Sequence, residues 1–563
     1  MTIDRPDAII VGSGAGGGTA AHVLTQRGWN VVVLEKGGEM TSDDFVPFDE
    51  LHFREHKTLI PKISNDPMIY AGLDGTRHDR SERWWEVNMV GGSTMVWDAN
   101  FPRYTPEDFD FSAYNEEIVP DPALKTISMV KWPWTYEEFR PYFEKAEWDW
   151  CVAGDARQSP EHMRDGYQYP MPPLKAHASS EFLIDVFGKA KLQPYYGARA
   201  VNSQVFDARP ACSFCGYNQF FGCAVNSRSN SANTVLRRAL NTGRCDLRTR
   251  HYVTRLDHSK GKIRGVFYVT EPGGKEQYLA APQVFVSVQT IQSARLFLLS
   301  ELPNRNGLIG RYLTYHPKGD LHLTFKGKPV WDMGPAYQPR TAIGSLQLRG
   351  MYTYMANGKK FKGGKFSVYD PYTCTTPLRL IKGASVGDQP TQKNVWGPQL
   401  VSYLKELRSQ GGVSFSFTGD AISCYDNRVE LDQDDPAVGY KAVRDPWGIP
   451  VARTFYKHHQ WDLNLSRYAV DRMAEVMTAA GGEVRKIEAQ AAANPGYGHV
   501  HGALRAGGNP DESVLDLNCQ SHEVKGLFVL DAAFMPTAGA SNPSLTLLAN
   551  AYRVCENVSK ASS

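Results

Sequence analysis

The sequence predicts an α/β protein in which a Rossmann-like nucleotide-binding domain, assembled from separated segments, is joined to a domain with a largely antiparallel sheet. Three observations support this prediction. Residues 7–35 read as strand, glycine-rich turn, helix and strand, and residues 527–558 add a strand, a loop and a helix. Between residues 319 and 431, polar and apolar residues alternate. Buried parallel strands are continuously apolar, whereas half-exposed antiparallel strands alternate in this way.

The first segment begins with a short apolar run, Ala8–Val11, which predicts a buried strand. Ala15–Gln26 follows as a helix with small and apolar residues available for packing, and Gly28 ends it. Val31–Leu34 predicts a second buried strand that closes on Glu35. Strand, loop, helix and strand therefore occur in the order that a dinucleotide fingerprint requires.

The turn between the first strand and the helix carries three glycines at G-x-G-x-x-G spacing. Gly12 permits a tight turn, Gly14 lets a pyrophosphate approach the backbone, and Gly17 lets helix and strand pack closely. The phosphates then lie at the helix N-terminus, where free N–H groups favour anions. Glu35 is placed to accept hydrogen bonds from ribose hydroxyls and would repel a 2′-phosphate. The motif by itself does not choose between NAD and FAD.

Charge and hydropathy exclude several classes of partner. The 563 residues include 62 basic and 60 acidic side chains, for a formal net charge of +2, and no concentrated basic run occurs. We therefore expect no nucleic-acid partner. No window approaches the ~20 continuous apolar residues of a spanning helix, so we expect no membrane insertion. Without an N-terminal signal pattern we expect a cytoplasmic protein, although export on a partner's signal stays open.

Loops follow the first segment. Residues 36–83 show little periodicity, and a long irregular passage of this kind often covers a cofactor or substrate. Between Glu86 and Tyr104, the run Gly-Gly-Ser-Thr at 91–94 would allow a close backbone approach and supply hydroxyl groups. Taken alone, this run favours an ordinary polar turn.

Periodicity predicts the elements in the middle of the chain. A capping box of Thr135 and Glu138 begins a helix over Tyr136–Glu147. Two further helices are predicted over Thr290–Leu299 and over the amphipathic Asn464–Ala480. The predicted strands are Asp246–Leu256 and Gly265–Tyr268, joined by a turn at Ser259–Lys262, then Gln283–Val288, Leu321–Phe325, Ser345–Arg349, Val413–Phe417 and Arg428–Asp432.

Three of the nine cysteines lie close together in the sequence, at Cys212, Cys215 and Cys223. Structural zinc needs four ligands, and the next cysteine is Cys245. Three thiolates could hold an iron–sulfur cluster with an open corner. The spacing favours buried or paired thiols in a glycine-containing loop over a cluster, and a cluster over zinc. We therefore predict no metal site, with the cluster as the alternative.

The C-terminal segment places polar residues beside predicted regular elements. Leu527–Leu530 reads as an apolar strand, and a loop containing Asn542 leads into a helix over Ser544–Val558. Upstream lie two histidines, His499 and His501, two positions apart. Spacing alone favours structural or surface roles for these histidines, since a metal would need a third ligand that the pattern does not offer.

Several of these segments together resemble one protein family. They are the N-terminal fingerprint, VGGSTMVW, DNRVELD, HVHGALRAG and LFVLDAAFMPTAGASNPSLT. In this order they resemble the glucose–methanol–choline (GMC) oxidoreductases, and they cover both ends of the chain. The segments around Gly91 and Asn542 look most like those of pyranose oxidases and bacterial sugar dehydrogenases.

The resemblance implies bound FAD and the oxidation of an alcohol to a carbonyl. The active-site histidine of the family falls on His499 rather than His501, and the second catalytic position falls on Asn542. Asp531 would lie near the ribityl–phosphate region and Val253 near the adenine. The full set implied for the cofactor is Gly12, Gly14, Gly17, Glu35, Gly91, Gly92, Ser93, Thr94, Trp97, Val253, Asp531, Ala532, Asn542 and Pro543.

The chain departs from the family pattern at three places. Some members attach the flavin through a histidine just before the residue equivalent to Trp97, but Val96 stands here, which predicts non-covalent FAD. The family's GAIGSP-like stretch reads QTIQSA at Gln289–Ala294, so glutamines replace two glycines and the loop geometry is expected to differ. Related multi-subunit sugar dehydrogenases carry a cysteine-rich cluster segment, and the spacing at 212–223 differs from theirs.

The expected chemistry starts with removal of the hydroxyl proton of an alcohol by neutral His499, while the carbinol hydrogen passes to flavin N5. We expect a dehydrogenase rather than an oxidase, with an external electron acceptor still to be identified and a sugar, glycoside or polyol-like alcohol as substrate. The alternatives are an oxidase using O₂ on an aryl-bearing alcohol, a non-redox FAD-containing lyase, and a flavin-binding assembly subunit. The tryptophans that would suit an aryl group are Trp84, Trp85, Trp97, Trp132 and Trp134.

The resemblance also predicts how the chain divides. The FAD-binding domain is expected to comprise residues 1–45, 80–110, 200–310 and 490–563. The substrate-binding domain and its covering loops are expected to comprise residues 46–79, 111–199 and 311–489. Oligomeric state and partner subunits are not predicted.

Overall fold

The computed structural model describes residues 2–45, 67–73, 77–78, 86–114, 127–128, 131–159, 166–175, 178–215, 221–326, 346–356, 359–369, 396–436, 439–491 and 498–561. Much of the predicted loop at 36–83 lies outside these ranges, and so do Trp84 and Trp85, which follow it.

Helices and strands alternate over the first part of the described chain, and strands dominate its middle. The helices are α1 (Ala15–Gln26), α2 (Tyr136–Asp149), α3 (Ala178–Lys189), α4 (Val235–Asn241), α5 (Thr290–Leu299), α6 (Pro398–Ser409), α7 (Gln460–Ala479) and α8 (Ser544–Ala561). The strands are β1 (Ala8–Val11), β2 (Val31–Glu35), β3 (Ile69–Ala71), β4 (Arg77–His78), β5 (Ile127–Ser128), β6 (Pro194–Tyr196), β7 (Cys245–Thr249), β8 (Tyr252–Ser259), β9 (Lys262–Val269), β10 (Gln277–Ala280), β11 (Val284–Val286), β12 (Thr314–Tyr315), β13 (Lys318–Lys326), β14 (Leu346–Leu348), β15 (Thr353–Ala356), β16 (Lys359–Lys362), β17 (Gly364–Tyr369), β18 (Gln410–Gly419), β19 (Ser423–Cys424), β20 (Arg428–Leu431), β21 (Ala452–Phe455), β22 (Glu483–Ala489), β23 (Val500–His501) and β24 (Leu527–Val529).

A five-stranded parallel sheet in the order β24-β11-β1-β2-β7 forms the nucleotide-binding part of the fold. The residues of β1, β2, β11 and β24 are all buried, which explains their uninterrupted apolar sequences. Helix α1 packs against α4 and α8, and α8 also packs against α2. This confirms the predicted Rossmann-like core and shows that its outer strands come from distant parts of the chain.

The predicted single strand Asp246–Leu256 is wrong. Two strands, β7 and β8, occupy this stretch, and they belong to different sheets. Strand β7 pairs in parallel with β2, whereas β8 pairs antiparallel with β9. Arg250 lies between them with a left-handed φ of 58°, which turns the chain out of the parallel sheet. The predicted turn at Ser259–Lys262 does join β8 to β9, with Gly261 at φ 71°.

A six-stranded antiparallel sheet, β22-β13-β18-β17-β14-β6, forms the second part of the fold. One face is apolar, with Leu321, Phe366 and Phe415 buried in a core that includes residues of α3 and α7. The other face is polar and carries lysine, serine, threonine and aspartate side chains. The predicted alternation is therefore confirmed, and it produces a sheet with one face on a core and one face turned to a cavity.

Two of the helix boundaries show how caps act. Thr135 Oγ1 accepts a hydrogen bond from Glu138 N, and the Glu138 side chain accepts from Thr135 N, so the predicted capping box begins α2. Helix α7 begins at Gln460, four residues before the predicted start, because the His459 side chain accepts a hydrogen bond from Trp461 N. Histidine is not one of the usual capping residues, so the sequence pattern gave no start signal there.

Candidate active site

A cavity of about 460 Å³ connects the two parts of the fold. It begins at the loop after β1 and extends to His499 and to the polar face of the six-stranded sheet. The predicted site residues that line it are Gly12, Gly14, Glu35, Gly92, Ser93, Thr94, Trp97, Val253, His499, Asp531, Ala532, Asn542 and Pro543. Gly17 and Gly91 lie behind its wall.

The glycine loop leaves space for a ligand at one position and packs tightly at the others. A Cβ on Gly12 would lie 2.4 Å from Ser287 O, and a Cβ on Gly17 would lie 1.9 Å from Gly12 O. These two glycines are therefore required by packing within the sheet and helix. A Cβ on Gly14 would meet no protein atom within 4 Å, and Gly14 lines the cavity. The open side at Gly14 fits the close approach of a pyrophosphate.

Ser13, which the sequence reasoning did not single out, connects the loop to two other predicted segments. Its backbone N–H and its hydroxyl both donate to Glu35 Oε2, at 3.0 and 2.6 Å. Gly91 N in turn donates to Ser13 Oγ at 3.0 Å. Burial raises the pKa of Glu35, against the effect of its hydrogen bonds from Ser13 and Gly37. A serine inside a glycine fingerprint gives no signal by itself, because the contact depends on where residue 91 folds back.

The turn at 91–97 has a specific backbone shape. Gly91 has a φ of 93°, and a Cβ there would lie 2.9 Å from the sulfur of Met95. Thr94 Oγ1 donates to Gly91 O at 2.5 Å and accepts from Ser231 N at 2.9 Å. These bonds turn the following residues toward the cavity, where Trp97 donates its indole N–H to a backbone carbonyl at 2.9 Å. The segment is thus an ordered wall of the cavity.

Asp531 lies at the carboxyl end of β24, inside the cavity wall. Its carboxylate accepts from Ser293 Oγ at 2.5 Å and from Ala533 N at 3.0 Å. Burial raises the pKa of Asp531 to about 6, while these hydrogen bonds oppose the rise.

His499 and Asn542 meet at the other end of the cavity. Asn542 Nδ2 lies 3.1 Å from His499 Nε2, and Asn542 Oδ1 accepts from Asn100 Nδ2 at 2.9 Å and from Lys365 Nζ at 3.0 Å. Because both donors face Oδ1, the amide must present Nδ2 to the imidazole, so His499 Nε2 is the acceptor. His501 is fully buried in β23 and does not line the cavity.

The imidazole of His499 is held in its neutral form. Burial lowers its pKa well below the usual value, and the nearby charges of Lys318, His501 and Lys365 act in the same direction. A neutral imidazole whose Nε2 acts as a hydrogen-bond acceptor can take a proton at neutral pH. The arrangement can therefore perform general base chemistry on a group that enters the cavity.

Comparison with known protein families identifies the fold's relatives. An FAD-binding-domain model matches residues 7–45, and the N-terminal and C-terminal GMC oxidoreductase models match residues 128–318 and 428–551. The chain belongs to the GMC oxidoreductase family. It is an FAD-dependent oxidoreductase, and the chemistry of this family is the oxidation of alcohol groups.

Individual GMC relatives match over nearly the whole chain. A 2-methyl-1,2-propanediol dehydrogenase from Mycolicibacterium austroafricanum is 26% identical, over 99% of this chain and 96% of the relative. A paromamine 6′-oxidase from Streptomyces fradiae is also 26% identical, over 98% and 91%. The crystal structure of a pyridoxine 4-oxidase from Mesorbium loti shares the fold with a TM-score of 0.61 at 16% identity, covering 98% of both chains. These relatives include both dehydrogenases and oxidases.

Two lysines of this GMC site were missed by the sequence reasoning. Lys318 lies at the start of β13 and lines the cavity, and Lys365 lies in β17 and contacts Asn542. Burial lowers the pKa of Lys318 to about 8 and lowers that of Lys365 well below its usual value. Neither lysine lies in a strand predicted from the sequence, and nothing in the sequence said that the polar face of this sheet would meet His499.

All three cysteines of the triplet lie in the described part of the chain, whereas residues 216–220 between them do not. All three cysteines are free thiols. Cys223 Sγ lies 3.5 Å from Ser227 Oγ and from Arg228 N. Burial opposes ionisation of Cys223, but the charge of Arg228 and these hydrogen bonds hold its pKa below the usual value. Within the described residues, no group of three or more histidine, cysteine, aspartate or glutamate side chains is arranged to hold a metal ion.

Two of the predicted aromatic residues belong to the core. Trp132 and Trp134 are buried and make edge contacts with Phe534, so neither lines the cavity. In the described ranges no helix is long and apolar enough to cross a membrane.

Proposed function

We propose that this GMC oxidoreductase oxidises a polyol-like alcohol, such as a sugar or glycoside, with His499 as the general base and with non-covalent FAD. One observation supports the proposal most directly: His499 lines the cavity, and its Nε2 accepts a hydrogen bond from the Asn542 amide at 3.1 Å. A substrate hydroxyl can take the position of that amide, donate to Nε2 and receive a hydrogen bond from Asn542.

The residues proposed to hold the cofactor are arranged along the cavity. Gly12 and Gly14 would receive the pyrophosphate at the N-terminus of α1, and Glu35 would face the ribose. Asp531 and the 91–97 turn would lie farther along, toward His499. Bound FAD supplies, at N5, the acceptor for the carbinol hydrogen as hydride.

The protein's own part of the reaction is proton removal and alignment. An alcohol C–H is a poor hydride donor until its O–H proton leaves, and neutral His499 takes that proton at Nε2. Asn542 holds the same oxygen, and Asn100 and Lys365 hold Asn542 through its Oδ1. Alignment of this kind supplies a large share of enzymatic acceleration. His499 would receive the hydroxyl proton, and bound FAD would accept the hydride with its two electrons.

We propose a dehydrogenase that passes these electrons to an external acceptor, on the basis of the similarity to the propanediol dehydrogenase. The proposed domain division assigns residues 1–45, 80–110, 200–310 and 490–563 to FAD binding. Anaerobic turnover with an artificial electron acceptor, compared with oxygen consumption in air, tests whether the enzyme is a dehydrogenase. Faster turnover with oxygen would contradict it, and a substrate that reduces no acceptor would indicate a lyase.

The His499→Ala variant tests the central role. We expect the rate of flavin reduction by a panel of diols, sugars and hydroxy acids to fall by about 10²-fold or more, as for the loss of a general base. Anaerobic stopped-flow measurement of flavin absorbance gives this rate.

The matched control is His258→Ala, since His258 lies in β8 away from the cavity. We expect this control to reduce its flavin at the normal rate. Near-normal flavin reduction by the His499 variant would refute the proposed base.

A further inference from the structure

The polar face of the six-stranded sheet has a regular arrangement fixed by strand register. Lys318 of β13 pairs with Thr418 of β18, and Thr418 pairs with Lys365 of β17. These three residues form a row across the sheet, which we call the cationic row. The cavity reaches this row, because Lys318 and Thr418 line it together with His499 and Asn542.

A second row of hydroxyl groups lies next to the cationic row. Asp320 pairs with Ser416, and Ser416 pairs with Ser367. Both serines line the cavity, and Ser367 donates to Gln347 Oε1 at 3.0 Å. Ser416 hydrogen-bonds Asp320, and burial raises the pKa of that carboxyl. The second row thus extends the surface with groups that bind hydroxyls.

Neither ammonium group of the cationic row has a carboxylate partner within the described residues. Lys318 Nζ donates to Thr418 Oγ1 at 2.8 Å, and Lys365 Nζ donates to Asn542 Oδ1 at 3.0 Å. Neither lysine is within 4.0 Å of a described carboxylate oxygen, and Asp320 is too far from Lys318 to form an ion pair. Lys318 therefore lines the cavity with a hydroxyl group as its hydrogen-bond acceptor, whereas Lys365 is fully buried behind the cavity wall against Asn542.

A nearby lysine shows how a buried ammonium group is usually stabilised. Lys362, three residues from Lys365 and equally buried, forms ion pairs with Asp108 and Asp420. These two carboxylates raise its pKa despite its burial. A buried lysine without such a partner loses its proton more easily, as the lowered pKa of Lys318 shows, and an anion beside Lys318 would stabilise its charged form.

We propose that the substrate is a hydroxy acid whose carboxylate binds to Lys318 while its hydroxyl group faces His499. This inference rests on the proposed function and adds the substrate class. The adjacent Ser367 and Ser416 fit further hydroxyl groups, so a polyhydroxylated acid would use both rows. Lys365 acts indirectly, since it fixes the amide of Asn542 from behind the cavity wall.

A non-oxidisable probe separates binding from chemistry. The tertiary alcohol 2-hydroxyisobutyrate has no carbinol hydrogen, and 2-hydroxyisobutyramide is its neutral counterpart. Titration of the oxidised holoenzyme, followed by the change in flavin absorbance, gives both dissociation constants. We expect the acid to bind at least about tenfold more tightly, as hydrogen bonds to charged groups predict.

Variants assign the preference to the cationic row. We expect Lys318→Met to abolish the preference for the acid and Lys318→Arg to retain it. The charge control is Lys275→Met, because Lys275 is exposed and lies away from the cavity; it should leave both constants unchanged. Equal affinity of wild type for acid and amide, or an unchanged preference in Lys318→Met, would overturn the inference.

The pH dependence of probe binding adds a second readout. Lys318 is faced by Asp320 on its own strand, by Thr418 and Lys365 across the sheet, and by the histidines at 316, 499 and 501. Its pKa is about 8, so the ammonium is lost as the pH rises through this value. We expect acid binding to weaken above pH 8 in wild type, whereas amide binding stays constant. Acid binding that is flat to pH 9.5 would count against the assignment.

The binding experiment tests the carboxylate site, and the oxidation experiment tests the proposed function. Preferential binding of the acid with no flavin reduction by any alcohol would leave the carboxylate site standing and refute the proposed function. Flavin reduction by neutral alcohols through His499, with no preference for the acid probe, would refute the carboxylate site alone.

Discussion

At the residue scale, the site depends on which way the Asn542 amide faces. An asparagine can present either oxygen or nitrogen to a neighbour, and the surrounding donors decide. Asn100 and Lys365 both donate to Oδ1, so the Nδ2 group is directed to His499 Nε2. This orientation makes Nε2 a hydrogen-bond acceptor, and a substrate hydroxyl that displaces the amide can donate to it in the same way.

The lowered pKa of His499 predicts an unusual pH profile. Only the neutral imidazole accepts a proton, and a lowered pKa keeps it neutral in more acidic solution. We therefore expect the rate of flavin reduction to stay constant through pH 6.5 and to fall only well below it. Stopped-flow reduction at a series of pH values measures this limb.

The Asn542→Asp variant provides the comparison. A carboxylate beside Nε2 would stabilise the imidazolium, so the acid limb should move to higher pH. A wild-type midpoint near 6.5, or a limb that does not move in the variant, would show that His499 is not the titrating base.

At the element scale, the residue that caps the start of α5 has a backbone conformation that favours glycine, although it is a glutamine. Gln289 has φ 82° and ψ 145°, a backbone conformation that non-glycine residues rarely adopt. Its Oε1 accepts from Ile291 N at 2.8 Å and from Gln292 N at 3.4 Å, which caps the helix. The QTIQSA sequence was expected to alter the loop. The Gln289 side chain does add hydrogen bonds that a glycine could not make, but the backbone at Gln289 keeps a conformation that suits glycine.

Two variants of Gln289 separate backbone strain from capping. Both Gln289→Ala and Gln289→Gly lose the side-chain cap, but only alanine keeps the cost of the positive φ. Strain of this type costs roughly 1–3 kcal/mol, so the glycine variant should be the more stable by about that amount. Urea unfolding of the two variants under identical conditions gives the difference. Equal midpoints would mean that the backbone relaxes at no cost.

At the scale of the whole molecule, the cavity exists because distant segments meet. The parallel sheet brings β1 and β2 beside β11 and β24, and β12 pairs with β23 to hold His499 near the antiparallel sheet. The cofactor end and the His499 end are thereby placed on one continuous cavity of about 460 Å³. Any ligand that spans this cavity contacts both parts of the fold.

The whole-molecule arrangement predicts how the flavin is retained. Val96, a buried residue of the cavity wall, has no atom that could bond covalently to a flavin. We expect acid precipitation of the holoprotein to release all of the flavin into the supernatant, as measured by its absorbance. Yellow colour in the washed pellet would contradict non-covalent binding.

The sequence by itself determined the local features. Strand β1, helix α1 and strand β2 lie within a residue of their predicted bounds, and the capping box of α2 is present. Apolar runs, glycine spacing and caps act between neighbours in the chain, so they can be read without knowing the rest. The family resemblance added Asn542 and the catalytic role of His499, which spacing alone would have assigned to a structural or surface role.

Only the tertiary structure decided the contacts between distant residues. Ser13 meets Gly91, Lys365 meets Asn542, and Arg250 divides β7 from β8. No predicted strand contained Lys318 or Lys365, and the register between the observed strands decided that they flank one threonine near His499. Register is set by the packing of whole faces and by turns far along the chain, and these are properties of the assembled fold.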